Sequence, residues 1–599
     1  MGQEYQSKPG DSRKNFASSF TLISSSNSMI NDVSQIQKAP TPNLWFGRLL
    51  LILALLLTWA KAGTLHINIS HQFGDQPLTL NSLKYKASET LSVSRLSYLL
   101  SQLAMQKQDG SWLELPSQFA LIDLGSRRTS FSLTQVPAGI YQAIRFSVGV
   151  PKETNHGDTA QYHASHPLNP NLNRLHWDWS QGYIFLALEG KYRTPAKAIK
   201  GFVYHLANDQ NLSGFKLTAP FHVETQTALH LSFDLKKLLT DPSKLSFSKD
   251  GNSTHSHEGD PIAGKLVKNL EGTFAIRSLS YPTEEARSSQ IKPLYLPNDF
   301  TPFPFKTSRR FPAPFLPRDN PLIEERVSLG RSLFLEPRLS RDGSVTCATC
   351  HQQSKAFTDG LPLSKGIDGQ FGDRNAMPIF NLAWKSSFFW DGRAKSLREQ
   401  VLEPIEDHRE MAADLKMVVA KLEKSSRSEF EKAFGPGPVT GEKIALALES
   451  FLLTLTSYDS KFDQSLSGKA KLTEKEQRGM ELFFTEYEPR SGQFGADCFH
   501  CHGGANFSDH RLHDNGLGGL FNTPSLRNLS YTGPYMHDGR FKSLEEVIAH
   551  YSSPIPQTET LDPNLAKHPK AGLQLTKEDQ AALIAFLKSL NDPKYSESR

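Results

Sequence analysis

Two stretches of the chain share one spacing of cysteine and histidine: Cys347-Ala348-Thr349-Cys350-His351 and Cys498-Phe499-His500-Cys501-His502. The chain has four cysteines, and all four lie in these stretches. Cys-x-x-Cys-His is the attachment signature of c-type haem, in which two thioethers hold the porphyrin and the histidine reaches the iron. Two disulfides are the alternative, and zinc is disfavoured because the pairs lie about 150 residues apart. We therefore predict two covalently bound haem c groups.

The residues around both motifs carry the signals of short helices. Helical patterns occupy three stretches, and Thr473 with Glu476 forms a capping box at the start of a fourth. The three stretches are Leu397 to Leu422, Gly441 to Tyr458 and Lys577 to Leu590. They predict two small, mainly α-helical c-type cytochrome domains, over residues 321–472 and 473–599.

The first half of the chain has the alternation of β-strands. Leu229, Leu231 and Phe233 alternate with polar residues, as do other stretches before residue 281. This pattern predicts a β-rich, sandwich-like domain over residues 63–281. Prolines then crowd over residues 282–320, and their composition favours an extended, flexible linker. The predicted fold class is therefore multidomain, with a β-rich N-terminal domain followed by two helical cytochrome domains.

The residues before position 63 have the pattern of a secretory leader. The apolar run from Leu49 to Trp59 is too short to span a bilayer, and Ala60-Lys61-Ala62 after it has the small-x-small form of a cleavage site. We predict that residues 1–62 are a leader and that the protein is exported to the periplasm. Translation could instead start at Met29, or the leader could remain as a membrane anchor. The formal net charge of +5 and the lack of a basic cluster argue against nucleic acid as a partner.

From Phe311 to Leu590 the sequence resembles the bacterial di-haem cytochrome c peroxidase and MauG family. Besides the haem motifs, the resemblance rests on several ordered stretches: Asn320-Pro321, Leu329-Gly330-Arg331, Leu339-Ser340, Arg374-Asn375, Phe388-Phe389-Trp390-Asp391-Gly392-Arg393, Glu410-Met411 and Thr523-Pro524-Ser525-Leu526-Arg527-Asn528. It implies a peroxide-binding first haem and a six-coordinate second haem.

The family pattern also implies roles for individual residues. His351 and His502 match the proximal iron ligands, and Trp390 matches the tryptophan between the haems. Pro404 and Glu410 match the distal pocket of the peroxide-binding haem, with Gln400 as a partner of the glutamate. Asn375, Thr532 and Pro534 match an inter-haem calcium site, where oxygen ligands suit the ion.

Two departures from the peroxidase branch point to MauG-like members, which include MbnH. Residues 352–407 contain no histidine, so the first haem is expected to be permanently open. Tyr551 stands where the second haem of the peroxidases takes a methionine, and tyrosinate favours the ferric and higher states. The alternative for Tyr551 is a packed tyrosine at a helix end. The MauG resemblance implies a bis-Fe(IV) state whose two oxidising equivalents are spent on a protein side chain.

Residues 63–281 resemble the MbnP family of periplasmic copper-binding proteins. The similar stretches are Leu175-His176-Trp177-Asp178-Trp179-Ser180-Gln181-Gly182-Tyr183, Leu188-Glu189-Gly190, Phe202-Val203-Tyr204-His205 and Asn269-Leu270-Glu271-Gly272-Thr273-Phe274. The resemblance implies that Trp177 or Trp179 is converted to kynurenine by a MauG-like partner and then helps histidines to bind copper. Our first candidates for the copper ligands are His205, His71 and His66, ahead of His176, His222, His255 and His257.

The sequence therefore predicts an exported di-haem enzyme that uses hydrogen peroxide to oxidise a tryptophan of its own fused domain and so matures a copper site. One alternative is a cytochrome c peroxidase that takes electrons from a small cytochrome or copper protein. Another is a copper-binding or electron-transfer protein in which the haems relay charge. Because neither the residues just before Cys498 nor the helix leading to Tyr551 contains a tryptophan, we also expect a relay for the oxidising hole, with Tyr531 and Tyr535 as candidates.

Overall fold

A computed structural model describes residues 62–177, 182–281 and 295–595. The predicted leader lies outside the described residues except for Ala62, as does Trp179, one of the two candidate substrate tryptophans. Residues 282–294 of the predicted linker also lie outside them.

Fourteen strands, numbered β1 to β14 in chain order, build the N-terminal half of the described chain. Their bounds are Ala62–Phe73, Gln76–Pro77, Tyr85–Lys86, Thr90–Lys107, Trp112–Leu115, Ala120–Asp123, Ser130–Pro137, Gly139–Val148, Ile184–Arg193, Ile199–Ala207, Ser213–Val223, Gln226–Asp234, Ser253–Thr254 and Phe274–Ser280. Short helices at Lys152–Asn155, Pro170–Asn173, Leu235–Thr240 and Pro261–Leu270 connect them.

The strands form two sheets that share one apolar core. The first sheet has the order β14-β12-β1-β2, with β7 on β1, and the second has the order β11-β8-β4-β9-β10-β13, with β3, β5 and β6 on β4. β1 and β12 pair in parallel, with Ile67 opposite Leu229. Leu229, Leu231 and Phe233 of β12 belong to the shared apolar core, as the apolar alternation predicts. The β-rich, sandwich-like fold of this half is confirmed.

Helices dominate the C-terminal half, which confirms the predicted mainly α-helical class. They span Glu324–Phe334, Cys347–Cys350, Leu397–Gln400, Glu403–Glu406, Leu415–Ser425, Arg427–Phe434, Gly441–Leu453, Lys461–Leu466, Glu474–Phe484, Leu544–Ser552, Pro563–Ala566 and Lys577–Ser589. The predicted helix from Leu397 to Leu422 is wrong, because the chain breaks after Gln400 and again after Glu406. Asp414 then caps a new helix by accepting from the backbone N–H groups of Lys416 and Met417.

Each haem domain is held by one close pair of helices with a glycine at the crossing. A Cβ at Gly330 would lie 2.0 Å from the carbonyl oxygen of Ala447, and one at Gly479 would lie 1.9 Å from that of Ala582. A larger residue at either position would push the helices apart. Within the described ranges, no helix combines the length and apolarity needed to cross a membrane.

The described part of the predicted linker, residues 295–320, is not a free tether. The indole Nε1 of Trp384 donates to the carbonyl oxygen of Pro312 (2.7 Å), and the backbone N–H of Phe315 donates to Ala383 (2.9 Å). Phe311 is part of the core of the first haem domain. The prolines thus prevent regular structure without preventing packing.

The β-rich domain also packs directly on the haem domains, and the described residues belong to one compact unit. Arg490 donates to the carbonyl oxygens of Asp250 (3.0 Å) and Ser253 (2.5 Å). Arg174 donates to Ser386 Oγ (2.7 Å). These contacts place the N-terminal half against its enzyme half within one chain.

Candidate active site

The first haem motif lies at the edge of a cavity of about 570 Å³. Cys347 and Cys350 bound the short helix that carries the attachment site, and both line the cavity with His351. His351 Nδ1 lies 2.9 Å from the carbonyl oxygen of Phe357, which can only accept, so Nδ1 carries the proton and Nε2 is left for iron. The volume, the thiol pair and the oriented imidazole fit a covalently bound haem.

The residues assigned to the distal side line the same cavity. They are Trp390, Gln400, Pro404 and Glu410. Burial of the Glu410 carboxyl, followed by repulsion from Asp407, raises its pKa to about 7. No hydrogen bond joins Gln400 to Glu410 among the described residues. A carboxyl group that titrates near neutrality can both accept and return a proton at the cavity.

Replacing Glu410 with glutamine is expected to slow O–O bond cleavage by roughly 10²–10⁴-fold, the usual worth of one acid–base group. Glu410 must be deprotonated before it can accept the proton of peroxide. The wild-type rate of O–O cleavage should therefore fall as the pH drops below about 7, the pKa of Glu410. Stopped-flow absorbance after mixing with peroxide measures both effects. Glu406→Gln, an exposed neighbour, is the matched control. A normal rate in Glu410→Gln at every pH would exclude this role.

The second haem motif forms a short 3₁₀ turn over Cys498–His500. His502 Nδ1 donates to the carbonyl oxygen of Phe507 (3.1 Å), so its Nε2 is also left for iron. Tyr551, in the last turn of the helix Leu544–Ser552, lies near the thiols of this motif. Burial raises the pKa of Tyr551 to about 12, and Cys501 and Cys498 add to the shift. An iron ion bound to Tyr551 would supply the positive charge that stabilises its deprotonated, tyrosinate form.

Tyr551→Met is expected to raise the reduction potential of the second haem, because a thioether favours the ferrous state more than a phenolate does. Potentiometric titration followed by absorbance would show the second haem becoming reducible by mild donors. Tyr535→Met is the control, since Tyr535 donates to the carbonyl oxygen of Leu529 (2.8 Å) and is not an assigned ligand. An unchanged haem spectrum in Tyr551→Met would mean that Tyr551 is not the ligand.

Asn375 connects the residues assigned to calcium with Trp390. Its backbone N–H donates to the carbonyl oxygen of His537 (2.9 Å), in the segment that also carries Thr532 and Pro534. Its own carbonyl oxygen accepts from Trp390 Nε1 (2.8 Å). Trp390 is tied in turn to the second haem domain, because its carbonyl oxygen accepts from the N–H of Asn522 (2.6 Å). Trp390 therefore borders the first haem cavity and contacts the second haem domain.

A group of three histidines, here called the histidine cluster, lies where the β-rich domain meets the second haem domain. His205 is on β10, His255 follows β13, and His500 is inside the second haem motif. The ring centres are 4.8 Å apart for His205 and His255, 4.9 Å for His255 and His500, and 5.6 Å for His205 and His500. One possible ligand atom from each residue lies within 4.8 Å of the others.

Trp177 packs against the histidine cluster. Its ring centre is 5.5 Å from that of His255 and 6.2 Å from that of His205. The side chain is buried, and within the described part of the chain its Nε1 has no hydrogen-bond partner. Trp177 and Phe499 of the second haem motif belong to the same apolar core, and Cys498 packs against that core. The expectation of a long relay through Tyr531 and Tyr535 is therefore not needed for Trp177.

A carboxylate lies close to the Nε2 atom of each histidine in the cluster. His205 Nε2 lies 3.0 Å from Glu189, and His255 Nε2 lies 2.9 Å from Glu486 at ion-pair distance. His500 Nε2 lies 2.8 Å from Glu486 and 2.9 Å from Asp497. Among the described residues, the Nδ1 atoms of His205 and His255 have no hydrogen-bond partner, and the contact of His255 Nε2 with Glu486 is an ion-pair contact without hydrogen-bond geometry. Carboxylate-supported imidazoles with a second nitrogen left over are the usual arrangement at protein metal sites.

The protonation of the cluster follows from burial and these carboxylates. Burial lowers the pKa of His205 to about 3 and also lowers that of His255, so both are neutral near pH 7. Burial acts the same way on His500, but Asp497 and Glu486 outweigh it and raise its pKa to about 9. Neutral imidazoles are the form that binds metal ions, so His205 and His255 are in the binding form, whereas His500 would have to release its proton on binding one.

Two of the three histidines that we ranked first for copper lie elsewhere. On β1, His66 hydrogen-bonds Ser132 Oγ (2.8 Å) and Gln226 Oε1 (2.5 Å). His71 Nε2 hydrogen-bonds the hydroxyl of Tyr98 (2.9 Å). Among the described residues, no group of possible metal ligands includes His66 or His71, so the structure does not bring them together with His205. The residues that do lie beside His205 are His255, which we ranked lower, and His500, which the sequence did not suggest because a middle residue of a haem motif carries no ligand signal.

Comparison with known proteins agrees with this architecture. A family model described as di-haem cytochrome c peroxidase matches residues 324–471, a cytochrome c model matches 477–591, and an MbnP model matches 62–256. The methylamine utilization protein MauG of Methylophilus methylotrophus is 35% identical over 308 residues, which are 48% of this chain and 88% of that protein. The cytochrome c551 peroxidase of Pseudomonas aeruginosa is 30% identical, over 46% of this chain and 81% of that protein.

A crystal structure described as a MauG-like protein associated with microbial copper homeostasis is 32% identical, with a TM-score of 0.44, and covers 49% of this chain and 97% of that chain. The sequence similarities show that the chain belongs to the di-haem cytochrome c peroxidase and MauG family and carries an MbnP domain. Both predicted resemblances are confirmed. The chain is thus a di-haem oxidoreductase that carries covalently bound haem c and acts with peroxide.

Proposed function

We propose that this exported enzyme uses peroxide to convert Trp177 of its own MbnP domain to kynurenine and thereby matures a copper site. One observation carries the proposal: Trp177 Nε1, His205 Nδ1 and His255 Nδ1 are buried without partners beside the second haem motif. Buried polar atoms are nearly always satisfied, so their convergence points to a missing ligand. We choose Trp177 for its contacts with His205 and His255, and Trp179 lies outside the described residues.

The conversion balances with peroxide as the oxidant. One tryptophan and two molecules of hydrogen peroxide give one kynurenine, one formate and one water. The haem pair, when bound through the cysteines and through His351 and His502, supplies the reduction of peroxide. Glu410 accepts a proton from the bound peroxide and returns it to the departing oxygen. Trp390 lies on the route between the first cavity and the second haem domain, where an indole can be oxidised in turn.

The histidine cluster suits copper once the indole has opened. Kynurenine presents an aryl amine and a ketone where the indole stood, beside two neutral imidazoles. Nitrogen donors of this kind suit copper, and the described residues around the cluster offer no thiolate for a blue-copper centre. Glu189 and Glu486 fix the two rings through their Nε2 atoms. We also propose calcium near Asn375, Thr532 and Pro534, where it would stiffen the contact with Trp390.

Single-turnover kinetics test whether the modification occurs within one chain. Because Trp177 packs on the second haem domain of its own chain, the rate of kynurenine formation should not change over a wide dilution series. Peptide mapping by mass spectrometry after peroxide treatment measures the product at position 177. A mixture of Glu410→Gln and Trp177→Phe chains adds a direct control. Kynurenine in the Glu410→Gln chain of that mixture, or a rate that falls on dilution, would show modification in trans.

A peroxidase that takes electrons from a small redox protein is the second candidate function. It is favoured by the similarity to cytochrome c551 peroxidases and by the exposed apolar side chains of Phe494, Leu512 and Leu520 on the second haem domain. Steady-state oxidation of a reduced small cytochrome separates the two functions. Rapid turnover with Trp177 left intact would favour the peroxidase.

A further inference from the structure

The histidine cluster joins the substrate domain to the enzyme domain through His500. This residue belongs to the attachment loop of the second haem, whereas His205 and His255 belong to the MbnP domain. We propose that His500 is a third histidine ligand of the copper and that the cuprous ion held there is an electron donor to the peroxide-oxidised enzyme. The matured protein would then be a peroxide-dependent oxidase of Cu(I). This inference rests on the proposed function, because it requires the matured site.

The arrangement of the three imidazoles supports His500 as a ligand. Each histidine has its Nε2 at a carboxylate: Glu189 for His205, Glu486 for His255, and both Glu486 and Asp497 for His500. With each Nε2 beside its carboxylate, Nδ1 is the nitrogen that each ring would offer to copper. Ring centres 4.8 to 5.6 Å apart leave a common point between them. His205 and His255 are more than nine-tenths buried, and their unpartnered Nδ1 atoms are the independent sign of a ligand.

The position of His500 makes the copper electronically close to the second haem. His500 is joined by one peptide bond to Cys501, whose sulfur is covalently attached to the haem, and Cys498 lies two residues earlier. An electron from copper would therefore reach the second haem along a short path made mostly of covalent bonds. Two Cu(I), one hydrogen peroxide and two protons give two Cu(II) and two water molecules. The enzyme supplies peroxide reduction, and solvent copper replaces each oxidised ion.

The experiment uses the full-length protein carrying both haems, after mass spectrometry has confirmed kynurenine at position 177. One equivalent of Cu(II) is added to wild type, to His500→Asn and to His66→Asn, and nitrogen couplings are counted by electron paramagnetic resonance. We expect one fewer coupled imidazole in His500→Asn and no change in His66→Asn, whose histidine lies on the other sheet. In a second arm, Cu(I)-loaded protein is mixed with peroxide and freeze-quenched.

Wild type should develop the Cu(II) signal within one turnover, and His500→Asn should do so at least tenfold more slowly. Identical nitrogen couplings in His500→Asn and wild type would overturn the ligand, leaving His500 as a structural ion pair with Glu486 and Asp497. Cu(I) that persists in wild type while peroxide is consumed would overturn the donor role. Absence of kynurenine in the starting material contradicts the proposed function itself, so the two failures are distinguished before copper is added.

Discussion

Trp177→Phe is expected to abolish kynurenine formation at this position and to weaken copper binding by more than roughly 100-fold. Phenylalanine fills the same buried space beside His255 but offers neither an indole to oxidise nor an amine to bind metal. Loss of even an outer hydrogen-bond partner costs 10–100-fold in metal affinity, so loss of a direct ligand should cost more. Competition with a copper chelator measures the affinity, and mass spectrometry measures the product.

Trp112→Phe is the matched control. Trp112 is in the same domain, but it lies under Arg145 (4.6 Å to the ring centre), away from the histidine cluster. This variant should give the normal yield and affinity. Wild-type protein that has never met peroxide should bind copper as weakly as Trp177→Phe. If Trp177→Phe kept the wild-type affinity after peroxide treatment, the site would have to be elsewhere.

Glu486→Gln is expected to destabilise the contact between the MbnP domain and the second haem domain by about 3–5 kcal/mol, the usual cost of removing one partner from a buried ion pair. Glu486 is buried and faces three groups: Lys567, His500 and His255. Glutamine keeps the shape and removes the charge, so the positive charges of Lys567 and His500 would remain buried without it. Amide hydrogen exchange in β10 should then quicken by roughly 10²–10⁴-fold.

An exposed ion pair provides the contrast. Arg145 and Glu114 lie 2.6 Å apart with about half of each side chain exposed, at 40% and 55%. Glu114→Gln should therefore cost less than about 1 kcal/mol and leave exchange in β10 unchanged. If Glu486→Gln behaved like Glu114→Gln, the buried charges would not be what holds the two domains together.

Local chemistry explains what the sequence predicts well. The haem ligands follow from the spacing of Cys347, Cys350 and His351 within one helical turn, and the strands follow from alternation along a few residues. The helix predicted from Leu397 to Leu422 is wrong although the hydrophobic spacing is continuous. The stretch contains a proline and a new N-cap at Asp414, and these local signals divide it into separate helices.

The histidine cluster is different because its members are far apart in the chain. His255 and His500 come together only after the MbnP domain has packed on the haem domain. His66 and His71 are equally good ligands by residue type, and β1 alone cannot reveal which sheet it joins. The resemblance to MbnP predicts copper binding. It does not predict that the second haem domain packs over the histidine cluster, because that contact exists only in a chain that contains both domains.

The burial of Phe499 and His500 beneath the MbnP domain sets an order of assembly. Both residues lie between the two cysteines that must be reached while haem is being attached. We therefore expect haem to be attached to this loop before the MbnP domain packs over it. Under the proposed function, oxidation of the indole and metal uptake would follow that packing. A chain that packed before attachment would hold its second haem motif out of reach.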